Sequence, residues 1–405
     1  MEAKMPDYYS YLPYETAGLY KRYSIDIELP RLDAEGAADV SSHMKKAEEM
    51  AASAGSGIAD FDILVTNSGA RSRRREVSIK KGAPKIGMYE SRGGIGDFTS
   101  SANHHIEINI GRERQSRIRM LVVNSMHISL PIHINVGEGA DLSLMEFYTS
   151  VSEHRSVVVP THEISAGKGS HVEISIIHNG NERSELLGLM NGYAAGKARL
   201  KVNTVYSGSL KSKSISILRA QESGHVEANE IVYGTGLQQF DINTFIINEG
   251  QNSTARLESS AVLDGSARCV FKGFAKINKW AKGAKSKVSE RGMLLSEDAR
   301  MDALPDMSID YSDGVSATHS AATAPPDDEQ TFYLMSRGIS SGEARRLSIM
   351  AFMSKHLSGI DNPFANETAS TLMLRRIRGE AFENIPRITS RDVWHTKAEP
   401  WNGTE

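Results

Sequence analysis

The residue types best suited to chemistry in this 405-residue chain are one cysteine and 13 histidines. Cys269 precedes Val270 and Phe271 in an apolar, strand-like run, where a lone cysteine usually behaves as a small buried hydrophobe. A single thiol excludes an internal disulfide and any metal site built from several thiolates of one chain. The sequence therefore predicts that Cys269 is buried, and a ligand or sulfur-carrying role for its thiol is disfavoured.

The histidines do not form a recognisable ligand motif. His162, His171 and His178 fall within one short segment, and outward-facing strand positions are the commoner explanation for such a trio. His104 and His105 are adjacent, so their rings would point to opposite faces of a strand and would not share a metal ion. On residue type alone, His319 is an ordinary strand histidine.

Motifs of common enzyme chemistry are absent from the sequence. It contains no H-E-x-x-H, G-x-S-x-G or C-x-x-C, and residues 167–170 are too short for a P-loop, so the chain is not expected to bind ATP itself. The basic run at residues 71–75 has no interleaved aromatic residue and is typical of a solvated loop. A formal charge of −3 gives no general attraction to nucleic acid or anionic lipid, and neither is expected as a partner.

Targeting signals are missing as well. No apolar run approaches the roughly 20 residues that a membrane-spanning helix needs. The amino-terminal segment lacks the apolar core of a signal peptide. A cytoplasmic location is therefore expected.

The elements that must position the candidate residues repeat along the chain. Between about residues 130 and 320, short alternating strands meet at turns whose glycines are separated by 30, 29, 28, 26, 33 and 31 residues. These turn glycines are Gly137, Gly167, Gly196, Gly224, Gly250, Gly283 and Gly314. A period this steady, with no helix between the strands, favours stacked β coils. The period alone leaves both a β-helix and a propeller open.

The repeat ends within residues 293–350, where strand gives way to helix. A strand, a turn at residues 312–314 and a short strand carrying His319 are followed by the Pro325-Pro326 break. Acidic residues 327–329 mark the start of a helix. Ser340 or Ser341 could then cap a longer one.

This stretch resembles the core of the SufB/SufD family, scaffold proteins of the Suf iron–sulfur cluster assembly system. The family signature joins a leucine-rich strand, a proline, a polar strand ending in histidine, the run D-D-E-Q-x-F-Y-L-x-S-R-G-I and an alanine-bearing helix. The matching parts here are Leu294-Leu295, Pro305, residues 308–319, residues 327–339 and residues 343–345. Members have a β-helical core flanked by helical regions, which decides between the β-helix and the propeller.

The resemblance thus completes the predicted organisation. We predict a mainly β fold whose core is a right-handed parallel β-helix, or β-solenoid, over residues 58–325. An amino-terminal helical region would cover residues 1–57, and a carboxy-terminal helical region for ATPase docking would cover residues 326–380. Residues 381–405 would form a tail.

The resemblance also assigns a role to His319. It stands where SufD-type members carry a histidine implicated in cluster assembly at the SufB–SufD interface, and an imidazole can ligate iron there. The sulfur-accepting cysteine of SufB-type members is replaced by Ala299, and the SufD-type cysteine two residues before the histidine by Ala317. The chain is therefore closer to the SufD type. We expect no cofactor stably bound by the chain alone, and an iron–sulfur cluster only transiently in an assembled complex.

The implied partners are an ABC-type ATPase, SufC, and either a SufB-type paralogue or a second copy of the chain. Arg337, Arg345 and Arg346 are candidate contacts to the ATPase, which would carry out all ATP hydrolysis, while this chain would be a non-catalytic scaffold. The alternative is a β-solenoid enzyme acting on an extended polymer such as a polysaccharide. Such an enzyme needs clustered carboxylates, and Asp310 and Asp313 are the only close pair in the best-defined coil, where a turn role accounts for Asp313.

Overall fold

The computed structural model describes residues 61–67, 69–84, 102–152, 154–310 and 313–379, together with isolated positions 25, 27, 402 and 403. The fold is mainly β, with 55% strand and 14% helix, which confirms the predicted fold class. The predicted helical region at residues 1–57 lies almost wholly outside the described residues, as does most of the 381–405 tail. The boundaries at residues 57, 325 and 380 stay a prediction.

From residue 104 to residue 294, successive strands alternate between two sheets, so that each coil contributes one strand to each sheet. The first sheet contains β1 (Ile63–Thr66), β2 (Gly69–Ser72), β5 (Gln115–Asn124), β7 (Asp141–Ser150), β9 (His171–Asn179), β11 (Arg199–Tyr206), β13 (His225–Gly234), β15 (Thr254–Leu263), β17 (Lys285–Leu294), β20 (Ser316–Ala324) and β21 (Asn402–Gly403). The second sheet contains β3 (Val77–Lys81), β4 (His104–Ile110), β6 (Ile128–Val136), β8 (Ser156–Ala166), β10 (Ser184–Ala194), β12 (Lys211–Ala220), β14 (Gln239–Asn248), β16 (Arg268–Ile277), β18 (Arg300–Ala303) and β19 (Asp306–Ile309). Pairing is parallel from β5 to β20 and from β4 to β19. The result is a β-solenoid of about seven turns.

The glycine period of the sequence reflects coil stacking along one edge of the solenoid. All seven predicted turn glycines lie where a strand of the second sheet leads into the next strand of the first sheet. At Gly250 an added Cβ would lie 2.1 Å from the backbone nitrogen of Glu222 in the coil below, and at Gly167 it would lie 2.6 Å from the Val136 carbonyl oxygen. Only glycine permits so close an approach of two backbones.

Apolar side chains of both sheets fill the interior of the solenoid. Ile106, Leu144, Ile174, Leu200 and Leu257 are fully buried in this one continuous cluster. Each coil rests on the next through both a hydrogen-bonded ladder and this apolar filling. Stability of such a stack accumulates coil by coil.

Three helices follow the last strand of the solenoid. They are α1 (Asp328–Ser336), α2 (Ser341–Leu357) and α3 (Pro363–Ile377). The Asp327 carboxylate caps α1, and the Ser340 hydroxyl caps α2 by accepting from the Glu343 amide. These caps confirm the predicted starts of both helices. Within the described part of the chain, no helix is long and apolar enough to cross a membrane.

The helices α2 and α3 cover the outer face of the first sheet. Met353 and Leu372 on these helices belong to a second apolar cluster with Phe147, Ile177 and Val205 of the sheet. Strands of the first sheet are therefore buried on both faces along part of their length, where the alternation of apolar and polar residues is lost. By contrast, α1 buries no residue.

Candidate functional site at the open end of the solenoid

The strand β20, which stands at one end of the first sheet, is open along one edge. β20 pairs with β17 from Lys285↔Ser316 to Met293↔Ala324, and it has no other neighbour among the described strands. Eight of its nine residues are exposed, and all but His319 are alanine, serine or threonine. The unpaired amides and carbonyls of such an edge are a template for another strand.

His319 lies on the interior-facing row of this last coil. It stands in register with Val288, which is fully buried in the solenoid interior, and paired residues of adjacent strands share a face. His319 is nevertheless exposed, because β20 has no further coil above it. Within the described ranges its ring has no hydrogen bond or ion pair, so the imidazole is available to a ligand or a partner.

Glu290 lies one coil below, and sequence reasoning missed it. Its side chain is fully buried; Oε1 accepts a hydrogen bond of 2.9 Å from the Gly273 amide, while Oε2 has no partner among the described residues. Burial raises the pKa of Glu290 to about 8; the Gly273 hydrogen bond opposes this rise, and the nearby Glu230 carboxylate adds to it. The available signal was a charged residue two positions after Val288 on the same face of β17.

A break in the second sheet explains the bond from Gly273 to Glu290. Residues 268–271 of β16 pair with β18 and residues 274–277 pair with β19, so Gly273 falls at the gap between these two short strands. Leu304 and Pro305 occupy the gap between these two strands. A Cβ at Gly273 would lie only 2.7 Å from Glu290 Oε1, so any larger residue at this position would collide with the carboxyl group.

Cys269 lies inside the same end of the solenoid, in register with Met301 of β18. Its side chain is buried, as predicted. Burial, reinforced by the Glu230 and Glu290 carboxylates, raises the pKa of the thiol well above its usual value. Since the thiolate is the form that binds metals, this geometry does not favour ligation by Cys269. Ala299, which the resemblance predicts to stand at the position of the SufB-type cysteine, is also fully buried.

The prediction that His162 and His178 face outward is wrong. The Nε2 atom of His162 lies 2.9 Å from the Glu146 carboxylate, which also accepts a 2.7 Å hydrogen bond from the Tyr148 hydroxyl. The His178 ring lies 4.8 Å from the Tyr148 ring, and burial lowers the pKa of His178 to about 3. The interior supplies a carboxylate partner for His162 and two tyrosine rings for His178, whose buried Nδ1 has no hydrogen-bond partner among the described residues. His171 is exposed, as predicted.

The exposed helix α1 and the first part of α2 form a second surface beside the open end. Phe332 and Tyr333 are 73% and 57% exposed, and the Arg337 guanidinium lies 5.1 Å from the centre of the Tyr333 ring. The Arg345 guanidinium donates to the Leu295 carbonyl oxygen just after β17. Arg346 pairs with Glu343 at 3.2 Å. All three predicted arginines thus lie on this helical surface.

The carboxylates of the last coil do not form a catalytic pair. Asp310 lies 3.7 Å from the Lys276 ammonium, and Asp313 lies 3.2 Å from that of Lys282. Among the residues that the structure describes, no group of three or more histidine, cysteine, aspartate or glutamate side chains can hold a metal ion. The polymer-hydrolysing alternative is therefore not favoured.

Together these features define a β-solenoid with an open terminal edge, an unpaired histidine on that edge and an exposed helix beside it. A family model matches residues 122–352, which is more than half of the chain. The model describes the SUF system FeS cluster assembly, SufBD core domain. The chain belongs to the SufBD family of iron–sulfur cluster assembly proteins.

Curated relatives agree with this assignment. The iron-sulfur cluster assembly protein SufD of Bacillus subtilis is 28% identical over 255 residues, which cover 58% of this chain and 58% of that protein. A SufBD family protein of Staphylococcus haemolyticus is 25% identical over 236 residues, covering 57% of this chain and 50% of the relative. One from Staphylococcus epidermidis is 24% identical over the same length. The matches thus span a half to three-fifths of these relatives.

The raised pKa of Glu290 predicts a pH dependence of stability. The carboxyl group keeps its proton up to about pH 8 in the folded chain but loses it near pH 4.5 once unfolded. Its contribution to stability is therefore fully present below pH 4.5, falls as pH rises from 4.5 to 8, and is flat above that value. Glu290→Gln cannot lose this proton, so its melting temperature should exceed that of the wild type by a few degrees at pH 8 and by little at pH 5. An equal difference in melting temperature between the two proteins at pH 5 and at pH 8 would contradict this assignment.

Proposed function

We propose that the protein is a SufD-like scaffold subunit of a Suf iron–sulfur cluster assembly complex and is itself non-catalytic. The observation that carries the proposal is the unpaired edge of β20 with His319 on its interior-facing row. In the complex, a SufB-type paralogue or a second copy of the chain pairs with this edge. Alanine, serine and threonine side chains along β20 let a second strand approach closely.

The nascent cluster is cargo at this end rather than a resident cofactor. Clusters are normally held by about four protein ligands, mainly cysteine thiolates. This chain has one cysteine, which is buried with a raised thiol pKa, whereas His319 is exposed and unpaired within the described part of the chain. His319 contributes an imidazole, and the partner contributes the sulfur ligands.

An ABC-type ATPase, SufC, docks on α1 and the start of α2. The support for this surface is that α1 buries none of its residues although it carries Phe332, Tyr333 and Met335. Large exposed apolar side chains grouped on one helix are typical of a protein–protein contact. Arg337 and Arg346 supply polar contacts at its border. The complex works in the cytoplasm, and ATP hydrolysis belongs to the ATPase.

Two substitutions on α1 test the docking surface. Phe332→Ala combined with Tyr333→Ala should weaken ATPase binding at least about tenfold, because buried aromatic side chains dominate such interfaces. The melting temperature should not change, since both rings are exposed. Leu237→Ala, which removes a side chain 72% exposed on the turn between β13 and β14 rather than on α1, is the matched control. Unchanged affinity of the double variant in a calorimetric titration would refute this docking site. Deleting residues 331–379 is a poorer test, because it would uncover the apolar cluster beneath α2 and α3.

Anaerobic reconstitution tests the assembly role of His319. The purified chain, treated with iron and sulfide and then desalted, should retain no stoichiometric cluster, whereas adding a cysteine-bearing SufB-type partner should permit assembly. His319→Ala should reduce bound iron and visible absorbance in that complex without preventing association. Cys269→Ser should have a smaller effect, because the thiol is buried. A stable cluster on the chain alone that is lost in Cys269→Ser would reverse the assignment of these two residues.

A further inference from the structure

The turn between β16 and β17 is unusual among those at the edge that carries the turn glycines. The interval of 33 residues between glycines that spans it is the largest of the six, and Trp280 lies within this longer turn. The base of the turn is well packed, because Ala281 and Ala284 are fully buried in a small cluster with Val315 of the next coil. The Trp280 side chain is nevertheless 70% exposed. A folded turn therefore holds a large aromatic ring out in solvent.

The same stretch is rich in lysine. Residues 276–287 contain five lysines and no acidic residue, in a chain whose formal charge is −3. The Lys279 ammonium lies 4.8 Å from the centre of the Trp280 ring, which is a cation–π distance. Lys282 lies in the same turn, and Lys285 begins β17; both are exposed. We call Lys279, Trp280, Lys282 and Lys285 the Trp280 surface.

Ion pairs neutralise only part of this positive charge. Three of the five lysines lie within 4 Å of a carboxylate, namely Lys276 with Asp310, Lys282 with Asp313, and Lys287 with Glu258. Lys279 and Lys285 have no carboxylate partner among the residues that the structure describes. The unpaired positive charge thus lies next to the exposed aromatic ring.

We propose that the Trp280 surface binds an acidic segment of a partner protein, with Trp280 as the apolar anchor and the lysines as partners for its carboxylates. Tryptophan is enriched among the residues that dominate protein–protein binding energy. Charge of one sign around such an anchor steers and selects an oppositely charged partner. A single-stranded nucleic acid fits less well, because its successive bases stack on several aromatic side chains and residues 276–287 contain no second one.

The proposed surface goes beyond the scaffold role, since it lies on neither β20 nor α1. It is at the side of the solenoid, in the coil that precedes β20. A protein bound there would stand beside the open edge without covering the backbone groups that pair with another strand. The ATPase and the paired chain therefore leave this surface to a further partner.

Two labelled probes test the inference on the purified full-length chain. One is a short peptide in which glutamate and leucine alternate, and the other is a single-stranded oligothymidylate of the same net charge. In fluorescence anisotropy titrations at about 150 mM salt, we expect saturable binding of the peptide. Trp280→Ser should weaken this binding at least about tenfold. Lys279→Gln combined with Lys285→Gln should weaken it severalfold and make it less sensitive to salt.

The matched control is Lys168→Gln combined with Lys197→Gln. Both lysines are exposed on shorter turns of the same edge, so the control removes the same charge and should leave the affinity unchanged. Equal weakening by the control pair would reduce the interaction to general attraction toward basic residues and overturn the site. All the substituted side chains are exposed, and melting curves of every variant check that the folded chain is being compared.

The other outcomes are equally decisive. Absence of saturable peptide binding would overturn the inference, and unchanged affinity of Trp280→Ser would overturn the anchor. Tighter binding of the oligothymidylate than of the peptide, lost in the same variants, would assign the surface to nucleic acid instead. None of the substitutions changes His319 or α1, so each of these results leaves the proposed scaffold role standing.

Discussion

Each strand inside a parallel solenoid bonds its backbone groups to the coil before and the coil after it, so the last coil must leave one edge unpaired. The rest of this structure depends on that constraint. At the opposite end of the first sheet, the two-residue strand β21 pairs with β2. At the end formed by β20, no described segment supplies a partner. The exposed histidine, the unsatisfied carboxyl oxygen and the break at Pro305 all lie at this end.

The three helices differ in how closely they pack on the solenoid. α2 and α3 are held on the outer face of the first sheet by a buried apolar cluster, whereas α1 projects without burying a residue. The bond from Arg345 to the Leu295 carbonyl joins the start of α2 to the chain immediately after β17, the strand that carries Glu290. A change of shape imposed on α1 and α2 by an ATPase would therefore act directly on the last complete coil. The proposed docking surface and the proposed assembly site are mechanically adjacent.

The sequence predicted the features that local chemistry determines. The turn glycines gave the coil period because close backbone approach excludes a Cβ, and Asp327 and Ser340 marked helix starts because their side chains cap free amides. The interior histidines could not be found in this way. The partner of His162 is Glu146 on the preceding strand of the other sheet, and both faces of that strand are buried, so its pattern does not say which way each residue points. Glu290 could not be identified for a related reason. Its bond to the Gly273 amide depends on a gap in the pairing of β16, and only the folded structure shows that gap.

Hydrogen–deuterium exchange along β20 tests the central claim most directly. The free chain and its complex with a SufB-type partner, or with itself at high concentration, would be compared by the exchange of amides in residues 316–324. The account predicts rapid exchange at the open edge in the free chain and strong protection on pairing, with little change in the central strands β9 and β11. A complex that forms while β20 still exchanges rapidly, with protection appearing instead on the outer face of either sheet, would contradict the account.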